Sequence, residues 1–324
     1  MQRLIKLNIL SLVLVLSLIT FPGQVFASGV WFLTDKGYKV WNNEPQPNET
    51  VTWSGNADTE GYVTGYGILQ WLLNGKPVAK YEGDMQKGKP NGKGIKTWAN
   101  GDRYEGNWVN DKQHDKGIYI WANGDRYEGD WADGKAHGKG LYVWTKGDRY
   151  EGDYADGKRA GKGIYIWNNG DRYEGEFEND MPHGKGIKTW ANGNRYEGDW
   201  VNGNQQGKGT KTWANGNRYE GEFVDNKRTG KGIYIFSGGD RYEGDWVGDK
   251  PNGKGVITWT NGDRYEGDIV DGKRTGRGVI AWASGNRYEG EFLNDKQHGY
   301  GTYYSQNGSI KRGSWLNGNF VGES

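Results

Sequence analysis

From residue 81 to residue 310 the chain repeats one pattern of aromatic, glycine and charged positions every 23 residues. Tyr-Glu-Gly opens each unit, at Tyr81, Tyr104, Tyr127, Tyr150, Tyr173, Tyr196, Tyr219, Tyr242, Tyr265 and Tyr288. Within one unit, Arg126-Tyr127-Glu128-Gly129-Asp130-Trp131 alternates charged residues with aromatic or glycine residues, the period-two signature of a strand with two unlike faces. A second strand is predicted around Gly140 to Trp144. Ala122-Asn123-Gly124 has the glycine-closed chemistry of a β-hairpin turn, and after Trp131 an Asp-Gly-Lys stretch predicts a longer connection. Nothing after residue 27 shows the 3.6-residue apolar period of a helix. The predicted fold is all-β: a twisted, elongated single-sheet solenoid of antiparallel β-hairpins, each unit burying its apolar surface on its neighbours. Ten units supply about 20 strands at roughly 4.8 Å each, an array on the order of 90 to 100 Å long.

The turn fixes the faces. A three-residue loop with Gly124 in the left-handed region sets Trp121 opposite Asp125, Tyr119 opposite Tyr127 and Gly117 opposite Gly129. One face then carries Tyr127, Gly129, Trp131, Tyr119 and Trp121, rings beside glycines that leave them room. The other carries Arg126, Glu128, Asp130, Ile118 and Ile120, a charged ladder with aliphatic rungs. A two-residue Asn-Gly turn would slip the register by one and mix the faces.

Tyr-x-Gly-x-Trp-x-x-Gly-x-x-x-Gly-x-Gly at this period resembles the MORN (membrane occupation and recognition nexus) repeat, in ten consecutive copies over residues 81–310. Residues 53–80, from Trp53-Ser54-Gly55 through Gly65-Tyr66-Gly67, resemble a degenerate copy joined to Tyr81 by a longer connection at Leu72 to Val78. Residues 311–324 keep Gly313, Trp315, Gly318 and Gly322 but place Lys311 where Tyr belongs, as a capping unit would. Three departures lie inside the array: Asp115 for a loop glycine, Ile269 at the position of Trp131, and Phe236 at that of Trp144. Residues 28–52 fall outside the pattern and are expected to be an N-terminal cap and linker. The resemblance implies protein assembly or phospholipid binding, and membrane association with the latter.

Residues 1–27 read differently. Arg3 and Lys6 precede an apolar stretch from Leu7 to Thr20, and Val25-Phe26-Ala27 has the small residues a signal peptidase reads, so a signal peptide cleaved after Ala27 and an exported protein are expected. The alternative is an uncleaved anchor, although the stretch is shorter than the roughly 18 to 20 apolar residues a span needs. Loss of Arg3 and Lys6 from 42 basic residues leaves 40 against 41 acidic ones. That balance argues against nucleic acid as partner, which would select a one-signed patch. The chain has no cysteine, hence no disulfide scaffold, and its 17 Trp and 21 Tyr must supply most of the burial.

Repetition also bears on chemistry. His114, His137, His183 and His298 occupy one loop position of their units, about 9 to 10 Å apart at the closest, too far to share a zinc ion. Carboxylate pairs such as Glu105 with Asp125, Glu128 with Asp130, and Glu151 with Asp153 recur beside arginines, whereas a catalytic pair needs two environments that differ. Gly203 to Gly209 lacks the spacing and helix of a phosphate loop, and no kinase signature is present. No catalytic, cofactor or metal residues are therefore expected, and the chain reads as a non-enzymatic scaffold. Its candidate partner-binding residues are the aromatic rows: Tyr104, Tyr127, Tyr150, Tyr173, Tyr196 and Tyr219; Trp108, Trp131 and Trp200; and Trp121, Trp144, Trp167, Trp190 and Trp213. These rows either pack together as the solenoid's own core or form a groove for a protein partner or a second array. A glycan or phospholipid is the alternative ligand.

Overall fold

The computed structural model describes residues 29–323; the expected signal peptide lies outside them. After the first hairpin the chain forms one open sheet of 24 antiparallel strands in which consecutive strands pair. The predicted register is found. Tyr127 lies opposite Tyr119 and Gly129 opposite Gly117, and the Trp121 N–H donates to Asp125 O across the turn. Gly124 has φ of 87°, the left-handed value that closes the loop.

The other turn differs from expectation. Arg126–Ala132 runs into Lys135–Val143 through only two residues, Asp133 and Gly134, with φ of 50° and 82°, a type I′ hairpin. The second strand is therefore longer than predicted, and the histidines lie in strands, His137 opposite Asp130. Gly138 and Lys139 are absorbed by a β-bulge, because Gly129 pairs with Gly140 while Asp130 pairs with His137. The Asp130 carboxylate accepts the Lys139 N–H at 2.9 Å and holds the bulge. Asp115 occupies this bulge site in its unit with φ of 51°, a conformation Asp tolerates better than most residues.

The bulge bends each hairpin so that its tip folds over the aromatic face. Arg159, next to the turn, has its guanidinium 5.0 Å from the ring centre of Tyr165, six residues along the same strand, where a straight strand would separate the backbones by about 20 Å. The tyrosine column is thus enclosed by its own sheet.

A ladder of bonds one repeat apart ties the hairpins together at the Asn-Gly turns. Asp125 Oδ1 accepts the Thr145 N–H at 2.8 Å, and Asp148 Oδ1 accepts the Asn168 N–H at 2.9 Å. That donation from Thr145, against the burial that opposes it, holds the Asp125 carboxyl below its usual range. Asn194, Asn217 and Asn286 make the same bond as amides. Asp148→Asn is accordingly expected to leave stability within about 1 kcal/mol. Asp148→Ala, which orphans the Asn168 N–H and the Tyr165 hydroxyl bonded at 2.8 Å, should cost about 2 kcal/mol in urea unfolding.

At the N-terminal end β1 (Val30–Leu33) and β2 (Lys39–Asn42) form a separate hairpin. β3 (Glu49–Trp53), which runs from the expected linker into the first residue of the expected degenerate copy, joins the main sheet. The loop after β1 covers the edge of β3, with the Asp35 N–H donating to Val51 O and Asp35 Oδ1 accepting the Trp53 N–H. Trp53 fills the place of a repeat tyrosine. Its indole N–H donates to Asn56 O, three residues on, as each Tyr hydroxyl does. β4 (Asn56–Ala57), β5 (Val63–Leu73) and β6 (Lys76–Gln86) follow, so the connection expected at Leu72 to Val78 is mostly strand, interrupted by Asn74-Gly75.

Candidate interaction surface

Each column tyrosine stands over a pair of facing glycines. A Cβ built on Gly140 would lie 2.5 Å from Tyr127 Oη, so only glycine admits the ring. The Tyr127 hydroxyl donates to Asp130 O at 2.8 Å, and its ring meets Trp131 edge-on at 5.1 Å. Trp131 also packs against Tyr104 of the preceding unit at 5.3 Å and donates its indole N–H to Gly117 O. Burial pushes the Tyr127 hydroxyl pKa up, as it does throughout the column.

This packing corrects the partner-binding assignment for nine of the fourteen aromatic residues. Tyr104, Tyr127, Tyr150, Tyr173, Tyr196 and Tyr219, and Trp108, Trp131 and Trp200, are all buried, none more than 8% exposed. They are the core, the first of the two readings their sequence allows. In three units a basic residue closes over them: Arg159, Arg228 and Arg274 lie against the rings, and each donates to an aspartate of the next hairpin, Asp180, Asp249 and Asp295.

Trp121, Trp144, Trp167, Trp190 and Trp213 remain half-buried. They alternate with residues of the neighbouring strands in a continuous stack. Trp121 lies 4.5 Å from Tyr119 and 5.0 Å from Tyr142, and Trp144 lies 4.2 Å from Tyr142 and 5.4 Å from Tyr165. Lysine replaces tyrosine further on, with Lys188 Nζ 4.4 Å from the Trp167 ring centre and 5.3 Å from that of Trp190. Ring faces are therefore partly covered by neighbours within the stack, while the row as a whole stays half-open to solvent.

The opposite face of the sheet holds a groove that the sequence reading did not foresee. Two depressions, of about 1210 and 2480 Å³, share Glu174 and Lys185 and together extend from Glu105 to Arg312. Glutamates, lysines and aliphatic residues such as Ile118, Leu141 and Ile187 line them in repeating order. The charged ladder predicted for this face is present, but curvature turns it into a channel wall. Its carboxylates are separately engaged: Glu128 with Arg126 at 2.6 Å along the strand, Asp130 with Lys116 at 2.5 Å across it. The alternation pointed to the ladder; the groove depends on bending that has no residue signature.

A family model described as MORN repeat matches ten consecutive segments, from 81–103 to 288–310. No curated protein sequence matches the chain. Among solved structures, the TCP10 domain of Danio rerio CPAP is 12% identical with a TM-score of 0.36, covering 67% of this chain and 96% of that one. The Drosophila melanogaster SAS-4 TCP domain, in complex with a proline-rich motif of Ana2, is 14% identical with a TM-score of 0.31, covering 54% and 88%. Virginiamycin B lyase from Staphylococcus aureus is 14% identical with a TM-score of 0.15, covering 82% and 89%. These TM-scores are too low for anything to be carried across to this chain.

Proposed function

The chain belongs to the MORN repeat family, and on that premise we propose that it is an exported, non-catalytic scaffold that holds a protein partner along the length of its hairpin array. The observation that carries this reading is the half-buried stack of Trp, Tyr and Lys side chains, which repeats its outward chemistry in unit after unit. An elongated partner gains affinity by making the same small contact many times. Rings already covered in part by neighbouring rings and lysines suit an extended chain better than sugars, which stack on free ring faces. The near-equal charge count weakens a phospholipid reading, because anionic lipid surfaces select clusters of basic residues.

Export and partner class are tested together. Expressed in its native host, the mature chain should begin at Ser28 by mass spectrometry and fractionate outside the cytoplasm. Immobilised on a support, it should retain a partner that protease treatment of the cell envelope abolishes and glycan digestion spares. Retention lost only with the glycan would replace the protein partner with a carbohydrate, and an N-terminus still at Met1 would remove the export.

A further inference from the structure

One point of the stack breaks the repeat in a way that points to a ligand. At the position of Lys211 five units carry a tyrosine and two an isoleucine, and Tyr119, Tyr142 and Tyr165 each donate to an aspartate of the preceding turn, Asp102, Asp125 and Asp148. Where lysine stands there, an acid is near: Lys188 has Asp171 at 3.8 Å, and Lys96 acts on Asp111 against the burial that raises that carboxyl. Lys211 differs. The turn residue that would face it is Asn194, whose Oδ1 still accepts the Ala214 N–H at 3.0 Å. The structural rung is kept while the negative charge is removed.

Lys211 is half-buried between Trp190 and Trp213, its ammonium 5.7 and 5.5 Å from their ring centres, and it makes no ion pair among the described residues. Asp249, the acid that acts on it, is already bonded to Arg228 at 3.0 Å, and the Arg228 charge itself opposes the ammonium. Burial pushes the Lys211 ammonium pKa down, as expected of a cation lacking a counter-ion.

A second observation lies in the same unit. Gln205 is only 3% exposed, and its Oε1 is buried without a hydrogen-bond donor. In other units its position is taken by Arg159 and Arg228, whose guanidiniums lie 5.0 Å from Tyr165 and 5.4 Å from Tyr234, the residues equivalent to Lys211. Gln205 shares the strand Asn204–Thr212 with Lys211 and, being uncharged, brings no counter-charge to it. A half-buried cation between two indoles, with no ion-pair partner among the described residues, is costly alone. A ligand carboxylate answers it.

We infer that Lys211, between Trp190 and Trp213, is an anchoring subsite for an acidic, extended segment of the protein partner, a carboxylate side chain pairing with its ammonium. This rests on the scaffold reading above and specifies where that partner is gripped.

The probe is a fluorescein-labelled decapeptide of alternating glutamate and serine, titrated by anisotropy against the full chain. A glutamine–serine counterpart and an oligogalacturonate serve as competitors. The glutamate peptide should bind, and Lys211→Met and Asn194→Asp should each weaken it about tenfold, the scale of one hydrogen-bonded charge. Asn194→Asp should fold normally, because aspartate makes the same turn bond in other units. Lys208→Met, on the opposite face, should change nothing. Absent binding, equal binding of the glutamine peptide, unchanged affinity in either variant, or preferential competition by oligogalacturonate would overturn the subsite. An envelope partner captured equally by wild type and Lys211→Met would remove the subsite and leave the scaffold standing.

Discussion

Replacing Gly129 with alanine is expected to destabilise its unit by about 3 kcal/mol, near the upper end of overpacking costs. The added Cβ would sit 2.5 Å from Gly140 Cα and 2.6 Å from Lys139 O, and backbone atoms held in a sheet cannot rotate aside. Tyr127 Oη, 2.6 Å away, is pinned by its own bond to Asp130 O. Gly203→Ala provides the comparison. Gly203 has φ of 82° but no atom within 4 Å of the built Cβ, so alanine there meets backbone strain alone, about 1 kcal/mol. Thermal and urea melts followed by circular dichroism should separate the two variants clearly. Because each unit contacts only its neighbours, the Gly129 variant should also broaden the transition as the array divides at the lesion. Equal melts for the two variants would mean that the tyrosine niche is not what makes glycine necessary.

Alkali should unfold the whole array between about pH 10 and pH 12. All ten column tyrosines are buried, and burial pushes their hydroxyl pKa values upward, for Tyr242 and Tyr288 to about 12. Below pH 10 the tyrosines are protonated in the folded and unfolded chain alike, and the shift has no effect on stability. Above it the unfolded chain releases protons that the folded array retains, so the free energy of unfolding falls as pH rises, by about 1.4 kcal/mol per tyrosine per pH unit. Ten tyrosines acting together reach on the order of 10 kcal/mol within one unit. Phenolate absorbance at 295 nm should rise in step with loss of the sheet signal. Gradual ionisation at pH 10 with the sheet intact would show the column to be open to water.

Local chemistry made the hairpins readable before any coordinates. Asn123-Gly124 admits the left-handed conformation at one place, and that placement alone sets Tyr127 against Tyr119 and every other facing pair. The niche under each tyrosine was legible for the same reason, since Gly129, Gly117 and Gly140 alternate in step with the rings. The bulge at Gly138-Lys139 was not legible: Asp133-Gly134-Lys135 contains more turn formers than the turn needs, and residue types do not reveal which two will bend. Everything that depends on the bulge was missed with it, including the closure of the hairpin tip over Tyr165 and the groove beneath Glu128. The division of the aromatic rows into buried Trp131 and half-open Trp121 has the same origin. Both lie on one face of one strand pair, and only the bend encloses the first. Lys211 stood in the sequence as one lysine among many, and its isolation became visible only when the turn ladder showed Asn194 in the place of an aspartate.

That ladder has a consequence for how such a molecule changes size. Every rung joins residues a fixed distance apart in sequence, from Asp102 to Ala122 and from Asp125 to Thr145, and no bond of this ladder skips a unit. Inserting or deleting one 23-residue copy therefore leaves every remaining rung in register and alters only reach, by two strand spacings or about 9.6 Å. Length in this architecture is a digital quantity, adjustable by copy number at constant cross-section and constant chemistry per step, as the divisions of a ruler are.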